Sequence, residues 1–92
     1  MVLLISYDLN GHERPSSYSA VKSYIEEHAT AFTRPLYSQW LVETSYSPDA
    51  WVDAFRNNNL IDTTDRLFIC QVKNPYQGWL TKEQWAWLRA RI

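Results

Sequence analysis

Val2-Leu3-Leu4-Ile5-Ser6-Tyr7, followed by Asp8, Leu9 and Asn10, is the stretch on which the fold turns. A short apolar run rich in branched residues and closed by Asn10-Gly11 reads as a buried strand stopping at a turn. Strand alternation sends Leu3, Ile5 and Tyr7 to one face and Val2, Leu4, Ser6 and Asp8 to the other. Both faces therefore carry apolar residues, and each needs a cover. Asp8 is a separate puzzle, because a charge at the end of a buried strand loses hydration unless something pairs with it. It is either a chemical group or a hydrogen-bond acceptor in the turn.

Working outward, Tyr18, Val21, Ile25 and His28 recur at three- and four-residue spacing, which predicts a helix over 17–28 with Lys22, Glu26 and Glu27 outside. Two strand-like stretches follow at 30–33 and 40–44. Pro35 lies between them and cannot donate to a ladder, so the first is expected at a sheet edge or cut short. Ser47-Pro48-Asp49 predicts a helix start, with Ser47 as N-cap, and a helix to about residue 57 that buries Trp51, Ala54 and Phe55. Residues 66–72 form a further apolar strand containing Cys70. The order strand, helix, strand, strand, helix, strand is the split βαβ pattern of an α+β, ferredoxin-like βαββαβ domain with an antiparallel sheet. Residues 1–73 make that core. Residues 74–92 form a Trp-rich extension, in which Thr81 and Gln84 supply a capping box for a short C-terminal helix with Trp85, Leu88 and Ile92 on one face and Trp87 on another.

The strand at 66–72 is also apolar on both faces, Leu67 and Ile69 against Phe68, Cys70 and Val72. A sheet with helices on one side should alternate apolar and polar. The second face is thus covered by the C-terminal helix or by another copy of the chain, and a homodimer is the expectation.

Composition bounds the rest. Ninety-two residues, 46% of them hydrophobic, make one globular domain. A net charge of -1 argues against a strongly basic nucleic-acid footprint. The lone Cys70 excludes an internal disulfide framework and reads as a buried, inert thiol. With no charged leader and no apolar run long enough to span a membrane, a soluble cytoplasmic protein without membrane contact is expected. Five Trp and six Tyr exceed what a core this small requires, so some are expected at a partner surface. Exposed Tyr and Trp beside Arg could instead stack on unpaired RNA or DNA bases.

Tyr7-Asp8, the segment from Arg34 to Ser38 leading into Trp40-Leu41-Val42-Glu43, and the βαββαβ order together resemble the Cas-two family of small CRISPR-associated proteins. A nearer likeness, in Ser6-Tyr7-Asp8-Leu9-Asn10, Trp40-Leu41-Val42, Asp65-Arg66-Leu67 and the Gly78-Trp79-Leu80 … Trp87-Leu88 tail, is to the Cas-two-like proteins of the SinR family. The resemblance implies a ferredoxin-like homodimer whose two Asp8 carboxylates meet and hold Mg²⁺, with Mn²⁺ as a substitute, for phosphodiester cleavage by an endoribonuclease. By position, Tyr7 would neighbour that site, Arg14 and Arg34 would contact phosphate, and Ser38 would be a polar contact near the cleft. Some relatives act only as bridges in an integration complex, and related folds occur in toxin–antitoxin pairs. The alternative is therefore a non-catalytic scaffold that binds nucleic acid or a protein partner through the Trp-rich tail. This chain departs from the pattern in lacking a basic run after Asp8, where it offers only His12 and Arg14. Asp62, Asp65 and Glu43 are further acids near strand ends, and they read as turn acceptors or solvated side chains in preference to metal ligands.

Overall fold

The computed structural model describes residues 1–9 and 15–92. In chain order the elements are β1 (Val2–Asp8), α1 (Pro15–His28), β2 (Ala31–Leu36), β3 (Gln39–Glu43), α2 (Pro48–Asn57), β4 (Arg66–Gln71) and α3 (Lys82–Arg89). The four strands form one antiparallel sheet in the order β2-β3-β1-β4. This small α+β architecture is compatible with a ferredoxin-like fold.

The central strand is covered twice. On one face Leu3, Ile5 and Tyr7 meet Trp40 and Val42 of β3, Val21 and Ile25 of α1, and Trp51 and Phe55 of α2 in the main core. On the other face Val2 and Leu41 pack against Leu88 of α3, with Leu4, Val72, Tyr76, Leu80, Trp85 and Ile92 around them. The C-terminal extension thus covers the end of the second face that carries Val2 and Leu41, so part of the reason for expecting a second copy there is met within the chain. Trp87 joins this cluster rather than standing apart from it. Its ring reaches back to the cluster's rim, where the Arg91 guanidinium lies 4.1 Å from its centroid and is itself held by Glu43 at 2.7 Å. Trp79 is left fully exposed.

Local signals set the element ends. Ser47 accepts from the Ala50 amide and starts α2, and the capping box of Thr81 and Gln84 starts α3. α1 begins at Pro15, two residues before the first position suggested by the apolar periodicity, because a first-turn proline gives up no helical hydrogen bond. β2 runs through Pro35 with an irregular register between Thr33 and Leu36. An edge strand tolerates this, since one of its sides needs no donor. After α2, Asn59 takes a left-handed φ of 56° and the chain turns away, with Leu60 N donating to Phe55 O. Among the described residues, no helix is long and apolar enough to cross a membrane.

Leu88→Ala is expected to lower unfolding stability by about 2–5 kcal/mol, the usual cost of a buried Leu truncation, since Leu88 is the one α3 side chain fully enclosed in the second cluster. Urea unfolding followed by circular dichroism measures it; a loss below about 0.5 kcal/mol would mean that the extension contributes little to the fold.

Candidate functional site

Asp8 ends β1 on the second face and stands directly opposite Arg66 of β4 in the ladder. Its carboxylate is exposed. The Arg66 guanidinium donates to the carbonyl of its own neighbour, Asp65 O, at 3.3 Å, and among the described residues no ion pair joins it to Asp8. Tyr7, its neighbour in sequence, points to the other face and is only 4% exposed. Its hydroxyl accepts a 2.9 Å hydrogen bond from Trp40 Nε1 within the core, while its amide donates to Ser38 O. The sheet therefore separates the Tyr7 hydroxyl from the Asp8 carboxylate. Ser38 comes to Tyr7 through its backbone, in the turn between β2 and β3.

Around Tyr7 lies a group of aromatics that sequence reading did not assemble. The Tyr18 ring sits 6.0 Å from Tyr7 and 5.2 Å from Tyr37. The Arg34 guanidinium lies 4.6 Å from the Tyr37 centroid and 4.7 Å from Trp40, and its Nε and Nη2 both donate to Tyr37 O, at 2.9 and 2.6 Å. Arg34 is thus engaged in fixing the β2–β3 turn, stacked on two rings and bonded to a carbonyl. This use competes with the phosphate contact expected for it. The one available signal was the hairpin itself, which brings residues three to six apart around a turn into contact. Burial pushes the Tyr7 hydroxyl pKa above its ordinary value, opposed by the hydrogen bond from Trp40 and by Arg34.

The other sequence candidates divide sharply. Arg14 and His12 lie outside the described residues. His28 Nδ1 donates to Tyr24 O at 2.9 Å, with its ring stacked 4.0 Å from Tyr24, and so serves as a helix-end group. Asp62 Oδ1 accepts from Thr64 N and Oγ1, at 2.8 and 2.7 Å, and Asp65 Oδ2 accepts from Asp62 N at 2.9 Å. Both acids hold the turn before β4. Glu43 is paired with Arg91. Among the described residues no group of three or more His, Cys, Asp or Glu side chains converges as metal ligands would. Mg²⁺ takes oxygen donors in octahedral array. Among the described residues one chain offers a single carboxylate at this strand end, Asp8, so within that set a shared ion requires the Asp8 of a second copy.

The remaining feature is the uncovered part of the second sheet face. Phe68 of β4 is 64% exposed and faces Ser6 across the ladder, and Gln39 Nε2 donates to Ser6 Oγ at 3.3 Å. Cys70, expected to be buried, is half-exposed on the same face. Between this surface and the extension runs a groove of about 360 Å³, lined by Leu4, Leu36, Leu41, Tyr76, Trp85 and Leu88 among others, with Trp79 on its wall. Which of the aromatics stay outside was beyond the sequence pattern, because Trp79 precedes α3 and belongs to no periodic stripe. Compared with known proteins, the chain matches no family model and no curated protein.

Tyr7→Phe is expected to cost about 1–3 kcal/mol at neutral pH, because the Trp40 indole N–H is left buried without its acceptor. The sign with pH follows from the raised pKa. The folded state favours the neutral phenol, so its contribution is complete below the unfolded tyrosine pKa, near 10, and is lost as pH climbs toward and through the folded value. Wild type should therefore lose stability more steeply than Tyr7→Phe above pH 10 in urea titrations, and parallel curves would show that the Tyr7 hydroxyl does not titrate with unfolding.

Proposed function

We propose that this chain is a non-catalytic, Cas-two-like interaction module with ferredoxin-like topology, which works as a homodimer and binds a protein partner through its Trp-rich extension. The observation that carries the reading is Trp79: a complete indole in solvent, 100% exposed, on the wall of an apolar groove built by the same extension. Large aromatics in this setting are over-represented at protein interfaces and supply much of their energy. Nucleic acid is the less favoured occupant. The central-strand positions on the open face hold Ser6 and Gln39 where a base-stacking sheet would present aromatics, and the net charge is -1.

Trp79→Ser is expected to leave fold and oligomeric state unchanged while reducing partner capture at least tenfold relative to wild type, measured by quantitative pull-down with both proteins at equal concentration. Capture of the same partners at equal yield would remove the extension from the binding surface.

The exposed carboxylate of Asp8 at a strand end favours a second reading, a metal-dependent endoribonuclease with Mg²⁺ shared by two Asp8 side chains. In that case highly purified wild type should cleave RNA in Mg²⁺ or Mn²⁺ and Asp8→Ala should lose at least 99% of the rate. Under the interaction-module reading the two proteins show the same background.

A further inference from the structure

The two edges of the sheet are built differently. β2 carries the usual protections against pairing with another chain: Pro35, a broken register between Thr33 and Leu36, and a positive charge at Arg34. β4 has neither a proline nor a broken register, and its one charge, Arg66, stands at its first position. It runs Arg66-Leu67-Phe68-Ile69-Cys70-Gln71, and its register with β1 is continuous from Asp8–Arg66 to Leu3–Gln71.

The direction of its backbone groups follows from the ladder. Val72 N donates to Val2 O, which fixes the even-numbered residues of this strand as those bonded to β1. The N–H and C=O groups of Leu67, Ile69 and Gln71 then point outward, and among the described residues none of them bonds to another segment. Phe68 stands beside this row, 64% exposed.

We infer that the β4 edge is a homodimer interface, in which two copies of β4 pair antiparallel about a two-fold axis and join the two sheets into one. The inference rests on the homodimer reading above and names its surface. Charge complementarity selects both the occupant and the register. With Ile69 opposite the partner's Ile69, the outward groups of Leu67 meet those of the partner's Gln71. One step further, Asp65, whose Oδ2 also accepts from Asp62 N in the turn, stands opposite the partner's Lys73, so opposite charges close both ends of the ribbon. A two-fold axis repeats each of these contacts, as an isologous interface requires. On the second face Phe68 covers the partner's Cys70 and gains the burial it lacks in one chain. The two Asp8 residues are then three strand spacings apart, about 14 Å across the strands alone. A shared metal ion and this dimer exclude one another.

Native Cys70 provides the test. Phe68 and the partner's Cys70 form a directly facing pair without mutual backbone bonds, with Cα atoms about 4.5 Å apart, close enough for a disulfide. Phe68→Cys should therefore convert more than half of the protein to a covalent dimer on a non-reducing gel under mild oxidation. Phe68→Cys combined with Cys70→Ser should form none, and neither should wild type. Gln71→Pro removes an outward N–H without touching the β1 ladder, so it should shift light scattering from twice 10.9 kDa toward 10.9 kDa with an unchanged circular dichroism spectrum. A wild-type dimer that resists Gln71→Pro and yields no covalent product with Phe68→Cys would overturn the β4 edge and leave the homodimer reading standing. A wild type monomeric at 100 μM would overturn both.

Discussion

A strand that is apolar on both faces has to be covered twice, and β1 imposes that requirement on the whole chain. Its odd residues are enclosed by α1 and α2 in the main core, and Val2 and Leu4 by the extension. A chain of this size buries only about 60–70% of its unfolded surface, so leaving one side of its central strand wet would remove much of the driving force for folding. The extension is therefore part of the domain's second layer. Leu88 and Trp85 close that layer, Gln84 ties α3 to the Arg34 carbonyl of β2 at 3.2 Å, and Arg91 ties it to Glu43 of β3.

The same requirement leaves a remainder. α3 has only eight residues and covers about 12 Å of sheet at 1.5 Å per residue. It reaches the Val2 and Leu41 end and stops short of Ser6, Phe68 and Asp8. On the opposite face two longer helices enclose Leu3, Ile5 and Tyr7 of β1. The uncovered region is thus a consequence of helix length, and the polar side chains of Ser6 and Gln39 make its centre tolerable in water. Phe68 is the residue for which water is the wrong neighbour.

Much of this was legible in the sequence wherever the information is local. Strand alternation assigned the faces of β1 correctly. Ser47 and the Thr81–Gln84 pair fixed two helix starts, because a cap depends on residues only three apart. The four-strand antiparallel sheet follows from the order of elements. What escaped was set by contacts distant in sequence. Nothing in periodicity distinguishes Trp79, fully in solvent, from Trp87, which folds onto the second cluster. Nothing in the spacing of Arg34, Tyr37 and Trp40 reveals that the guanidinium lies between two rings and is bonded to a carbonyl. Cys70 read as buried because its neighbours are apolar, yet it lies on the half-covered face.

Asp8 brings these considerations together. Read alone, an acid closing a hydrophobic strand invites a chemical role. In the sheet its facing residue is Arg66, at the first position of β4, where both side chains lie on the open face. A one-residue slip of β4 would turn Arg66 from this open face toward the one enclosed by α1 and α2, where its charge would lose hydration. Asp65, one position earlier, is committed to the turn that delivers β4 to that register. Register matters more in this chain than in most, because β1 and β4 are apolar on both faces and alternation alone penalises a slip only weakly. The polar ends Asp8 and Arg66 thus supply a constraint that the apolar centre of the two strands does not.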